Sequence, residues 1–244
     1  MWTDIIELYA GSWHFLILFP LLFLVPVVAE LAQHAAEVRI GMFRKGVDSA
    51  GLADHPLRMQ FGLIKVVAMF LPVYWVTRYF GFGPESGEVA AIDPVAIRLL
   101  IPVFLLTTGL TCIQLLLTPR LDGKIGKLAG LALFFVTFVG GIYIIPWQVA
   151  AALGDESIGF LRSFEILHGS FWWSLLLFLA AFVPVTIPHY MLHSLAIGKS
   201  RIVMWAILIF DSLLVGYLAV LLAGAGYFIA RNAAAFHSLP FPSG

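Results

Sequence analysis

The chain has 244 residues, 61% hydrophobic and 11% charged, with a mean hydropathy of +0.98 and 14 Lys+Arg against 14 Asp+Glu. A soluble domain is about half apolar and a quarter charged, so this chain lacks the polar surface to cover itself in water and its solvent is largely lipid. A formal charge of zero leaves no basic footprint for nucleic acid, and the single cysteine, Cys112, excludes an internal disulfide.

Six apolar stretches approach the roughly 20 residues that a helix needs to cross a bilayer. In chain order they are Trp13 to Gln33, Phe61 to Phe80, Ile97 to Leu117, Leu128 to Ala150, Phe171 to Leu195 and Ile202 to Ile229. Backbone groups in lipid must bond within their own segment, which demands helices; the alternating ten-residue pattern of a barrel is absent. The expectation is one all-α domain over residues 1–244, a six-span membrane bundle with short loops. Met1 to Ala10 fits a short interfacial helix. The chain opens with acidic residues and no basic n-region, so the first span reads as retained.

Each stretch carries its own punctuation. Pro20, Pro26, Pro72, Pro102, Pro146, Pro184 and Pro188 fall inside the spans, where proline removes a hydrogen bond and kinks a helix. Met42 to Val47 reads as an extension of the first helix, and the run from Asp48 to Pro56 as loop. Gly140-Gly141 and Gly224-Ala225-Gly226 offer small surfaces for close helix packing. Ser12 to Val27 aligns with Ser170 to Val185 without a gap, a weak parallel repeat.

Lysine and arginine counts orient the spans. The first connection holds Arg39, Arg44, Lys45 and Arg58, the third Arg120, Lys124 and Lys127, and the fifth Lys199 and Arg201. The second and fourth hold Glu85, Glu88, Asp93, Asp155, Glu156 and Glu165. This alternation predicts an N-out/C-out arrangement in an integral membrane protein of the bacterial inner (plasma) membrane type. Its surroundings are the lipid bilayer and a membrane-protein partner or a second copy.

Ionisable residues inside spans are costly and mark function or tertiary pairing. Glu30, His34 and Glu37 stand at i, i+4 and i+7, on one helical face with Gln33 beside them. His189 and His193 form a second stripe at the matching end of the fifth span. Lys65 lies about one turn inside the second span, and Asp211 roughly 12 Å into the sixth at 1.5 Å per residue. The topology predicts that Glu30, His34, Glu37, Lys65, His189, His193 and Asp211 share one membrane face. Glu37 and His193 are expected at headgroup level, and Asp211 deepest, partnered by Lys65 or a histidine.

These residues support three functions. The leading one is a transport or membrane-complex role handling a small solute, ion or lipid through the polar cluster, with Asp211 central to a relay. The alternative is a membrane-embedded metal-dependent enzyme, with Glu30, His34, His189 and His193 holding a divalent metal such as zinc, iron or manganese. The third is an accessory subunit without chemistry. Haem held by His14 with His168 and by His34 with His189 is disfavoured, because 20 residues of helix, about 30 Å, would set both haems at the interfaces. Phosphate-binding loops, dinucleotide fingerprints and catalytic serine motifs are missing.

Overall fold

The computed structural model describes residues 1–48, 51–121 and 123–241, with the backbone alone at Pro119. Ser49 and Ala50 of the expected loop, and Gly244, lie outside the described residues. Among the described residues there are nine α-helices and no strand: α1 (Trp2–Leu18), α2 (Pro20–Arg39), α3 (Pro56–Phe70), α4 (Val73–Phe82), α5 (Pro94–Leu117), α6 (Gly123–Leu153), α7 (Phe160–His168), α8 (Phe171–Ala196) and α9 (Arg201–Phe236). Six helical stretches are long and apolar enough to cross a membrane: α2, α3 with α4, α5, α6, α8 and α9.

The first apolar stretch is divided. Pro20 has no N–H to continue the ladder of α1, so α1 stops at Leu18, Phe19 takes φ −125° and ψ 55°, and Pro20 starts α2 at its first position, where a missing donor costs nothing. Pro72 likewise separates α3 from α4. Pro26, Pro102, Pro146, Pro184 and Pro188 remain inside continuous helices. The aligned stretch in α8 is therefore unbroken where α1 and α2 part, which weakens the repeat.

The turn beside Pro146 shows how an opened helix ladder is satisfied. The Ser163 hydroxyl, fully buried on α7, accepts from the Trp147 N–H at 3.0 Å and donates to the Tyr143 carbonyl at 2.6 Å. It is inserted into the α6 ladder one residue past the proline, and it locks α7 against α6. Ser163→Ala leaves both groups unpaired in a dry site and is expected to cost about 1–3 kcal/mol, read as a lower thermal unfolding midpoint in detergent. An unchanged midpoint would mean that the α6 ladder closes without the hydroxyl.

The central helix is α9. Its apolar window is 56% buried, against 11% for α6, which faces lipid. α1 and α2 run as one broken rod antiparallel to α9. Asp4 pairs with Arg231 at 2.8 Å, the Tyr217 hydroxyl reaches the Tyr9 carbonyl at 3.3 Å, and His34 meets Asp211 at 3.0 Å. Gly216 lets the rod approach: a Cβ there would collide with Val27 and come within 2.8 Å of Phe23. Gly224 does the same for Leu8 and Phe80, each at 2.8 Å. Gly216→Leu is expected to force α2 off α9 and lower the unfolding midpoint, whereas Gly140→Ala is neutral because nothing lies within 4 Å of its Cβ. The two small-residue surfaces thus differ. Gly224 packs closely as expected, while Gly140 and Gly141 touch nothing.

Arg231 lies 20 residues beyond Asp211 on α9, about 30 Å along the helix, the thickness of a hydrocarbon core. The two polar layers therefore bracket the span. At the Asp211 end, the first and fifth connections meet through a hydrogen bond from the Gly198 N–H to the Phe43 carbonyl at 2.9 Å. The first helix stops at Arg39 and does not extend over Met42 to Val47; a series of turns follows, and it tucks Met42 and Phe43 into the core at this end. At the Arg231 end, Arg98 pairs with Glu156 and the buried Arg78 with Glu88. The basic first, third and fifth connections thus lie at one end and the acidic ones at the other.

Candidate functional site

The site is built by four helices. α2 contributes Glu30, Gln33, His34 and Glu37, α3 contributes Arg58 and Lys65, α8 contributes His189 and His193, and α9 contributes Asp211. The i, i+4, i+7 spacing on α2 aims three ionisable groups at α9, where Asp211 is 0% exposed. Gln33, His34, Glu30 and Glu37 are also buried. Glu37, expected at headgroup level, is 1% exposed and is covered by Arg58 from α3.

His34 is the hub. Its Nδ1 stands 3.0 Å from Glu37 Oε2, and its Nε2 stands 3.0 Å from Asp211 Oδ2 and 3.3 Å from Glu30 Oε1. Ionised carboxylates only accept hydrogen bonds, so these contacts need an N–H at both ring nitrogens. Asp211 uses its other oxygen for His189, with Oδ1 2.8 Å from Nδ1. Asp211 thereby joins α2 to α8 across α9, and its partners are two histidines, not Lys65.

Lys65 instead lies 2.5 Å from Glu30 Oε2, as an ion pair and not an aligned hydrogen bond. Arg58 donates from Nε to Glu37 Oε1 at 2.9 Å and from its terminal nitrogen to the Ala53 carbonyl at 2.8 Å. Three carboxylates thus face two fixed cations and a histidine with two donor nitrogens. In the sequence Arg58 counts only among the basic residues of the first connection. The signal for more was present, since Arg58, Gly62 and Lys65 stand at i, i+4 and i+7 on one face of α3.

Several polar atoms remain open. His193 makes no hydrogen bond among the described residues; its Nδ1 is 3.9 Å from Glu37 Oε2 and its ring centre lies 4.8 Å from that of Phe43, tilted by 56°. Gln33 Oε1 is buried without a partner, although its Nε2 donates to Glu37 at 3.2 Å. These groups line a cavity of about 230 Å³ together with Arg58, Lys65, His189 and Leu115.

The donor set suits a cation. Two triads, His34 with Glu37 and His193, and Glu30 with His189 and Asp211, each present ligand atoms within 4.8 Å of one another. The expected tetrad of Glu30, His34, His189 and His193 is divided between them: His34 and His193 are completed by Glu37, and Glu30 and His189 by Asp211, two carboxylates outside the expected metal set. Mixed imidazole and carboxylate donors fit zinc, iron or manganese. The hydrogen bonds linking the triads are of the kind that orient metal-binding histidines. At the opposite end, the His14 ring nitrogen is 2.8 Å from the Tyr79 hydroxyl, and His168 is exposed.

No protein-family model, no curated protein and no solved structure matches this chain. The functional reading therefore stands on the site alone.

Proposed function

We propose that the chain is a membrane-embedded metal-dependent protein whose His/carboxylate centre binds a divalent cation and acts on a small anionic group at one membrane face. The observation that carries this reading is the pair of triads, six potential ligands from α2, α8 and α9 converging with His193 and Gln33 Oε1 still open. A bound divalent ion supplies Lewis acidity to a coordinated oxygen or water. The chain's own residues do the rest. Asp211 holds His189 through Nδ1 and His34 through Nε2, so His34 would offer Nδ1 to the ion on losing the proton it shares with Glu37. Arg58 and Lys65 hold the carboxylates and present positive charge to an incoming anion. With His34 neutral after that loss, two cations, three carboxylates and a divalent ion leave one net positive charge, which favours an anionic ligand.

Elemental analysis of protein purified without chelator is expected to find stoichiometric zinc, iron or manganese, and His34→Ala with His193→Ala to lose it. A wild-type chain that takes up no divalent metal after metal-replete purification would overturn the reading. In that event one observation favours the transport reading. The cluster already compensates its own charges through Lys65, Arg58 and His34, as an ion-exchanging relay in a membrane requires.

The charge sorting supports an N-out/C-out orientation in a bacterial inner membrane, with the cluster on the cytoplasmic side. In a Cys112→Ser background, cysteines placed at Lys124 and Lys199 are expected to resist a membrane-impermeant maleimide in intact cells, and one at Glu156 to react. The reverse pattern would invert the topology.

A further inference from the structure

A second cavity, of about 420 Å³, lies between α3, α4, α5, α6, α8 and α9, within the roughly 300–1,000 Å³ usual for small-molecule sites. Its wall is mainly apolar, with Met69, Leu110, Phe138, Ile145 and Leu222 among its residues. It adjoins the polar centre. Val66, next to Lys65, lines both cavities, while Gln114 lines the apolar one and Leu115 the polar one. Its wall runs from Val66 on α3 past the Pro72 break to Thr77 on α4. It is an apolar slot that shares Val66 with the polar cavity, so the charged cluster borders its α3 end.

Two features mark the slot as a binding space and not a packing gap. Gly141 is on its wall, and nothing lies within 4 Å of the Cβ that a larger residue would bring. The Thr77 hydroxyl, 0% exposed, also lines it and has no hydrogen-bond partner among the described residues. The other threonines of the wall are satisfied by their own helices: Thr107, Thr111 and Thr137 donate to carbonyls four residues back at 2.8, 2.9 and 2.8 Å. An unpaired buried hydroxyl is costly, so Thr77 is the polar atom left over for an occupant.

We infer that the slot holds the single hydrocarbon chain of an amphiphile, with its anionic head at Lys65, Arg58 and the histidines and an oxygen function of the chain at Thr77. The inference names the substrate class of the proposed metal centre and rests on that reading for the head group alone. The apolar wall and the bordering charge of Lys65 and Arg58 match such a molecule. Entry is from the bilayer, since α5 and α6 have the most lipid-exposed windows in the bundle, with α8.

The test is photolabelling of the full chain in nanodiscs with a palmitic acid carrying a diazirine at mid-chain, with adducts mapped by mass spectrometry. Adducts are expected on Val66, Met69, Phe138 and Gln148. Adducts only on lipid-facing Leu21, Ile64, Leu131 and Phe135 would overturn the inference. Gly141→Leu, whose Cβ meets nothing within 4 Å, is expected to reduce slot labelling several-fold while leaving exterior labelling and metal content unchanged; undiminished labelling would count against the slot. Unlabelled 16-hydroxypalmitic acid is expected to compete better than palmitic acid, and Thr77→Val to erase that difference; equal competition in the wild type would remove the role of Thr77. Slot labelling that persists in a chain binding no metal would overturn the metal reading and leave the slot standing. Metal binding without slot labelling would do the opposite.

Discussion

Asp211→Ala is expected to unfold the polar end of the bundle and empty the metal centre together, whereas Asp211→Asn is expected to empty the centre while the fold survives. Asp211 is fully buried and holds His34 Nε2 and His189 Nδ1 at once. Truncation leaves two imidazoles facing Glu30 and Glu37 without their shared acceptor, and breaking a buried charged network in this way costs about 3–5 kcal/mol. Asparagine keeps the volume and one acceptor oxygen. His189 can turn a lone pair toward the new amide, so the penalty falls to about 1–3 kcal/mol. The metal responds differently. A neutral amide removes a carboxylate that serves a triad directly and also orients His34, as Glu37 does from the other ring nitrogen, and loss of such an orienting group alone weakens metal binding about 10–100-fold. Thermal midpoints and metal content, measured on both variants, separate the two effects. Stoichiometric metal in Asp211→Asn would show that Asp211 is no ligand, and an unchanged midpoint in Asp211→Ala would show that the network contributes nothing to the fold.

The existence of the spans and the convergence of the cluster were legible because each rests on a pattern with one physical meaning. Twenty apolar residues without charges have few homes other than lipid, and Glu30, His34 and Glu37 share a helix face whatever the helix packs against. What packs against that face is a long-range fact. The aspartate that completes one triad is 177 residues from His34, and no local spacing announces it. Burial of Glu37 was misjudged for a similar reason. A residue near a helix end reads as hydrated, but here Arg58 from α3 pairs with Glu37, and the turns after α2 bury Phe43 beside His34 and His193. The break at Phe19 was legible in part, since Pro20 was noted, but proline alone does not separate a kink from a stop. Pro26 and Pro184 kink nothing apart, while Pro20 ends a helix. The glycine pairs mislead in the same way, because a small residue permits close approach without requiring it.

Arg78 went unremarked in the sequence, and its removal is expected to be the most damaging single change at the acidic end. It is 1% exposed, which is rare for arginine. Its guanidinium donates to the Glu88 carbonyl at 2.8 Å, the Glu88 carboxylate at 2.9 Å and the Ala152 carbonyl at 3.3 Å. It also lies 5.1 Å from the Tyr74 ring centre and 4.8 Å from that of Phe82. One side chain thus ties the α4–α5 connection to the last turn of α6. Because Glu88 and Asp93 are 61% and 30% exposed, both can rehydrate when Arg78 is lost, so the stranded-charge penalty is smaller than at Asp211. The Ala152 carbonyl and the space of the long stem remain uncompensated. Arg78→Ala is therefore expected to cost about 3 kcal/mol, and Arg78→Met, which refills the stem volume, about half of that. Arg78→Lys should fall between wild type and methionine, since an ammonium cannot span the Glu88 and Ala152 acceptors as a planar fork does. Thermal unfolding of the three variants in one detergent tests the order. A lysine variant as stable as wild type would mean that charge alone matters there, and an alanine variant no worse than methionine would mean that packing does not.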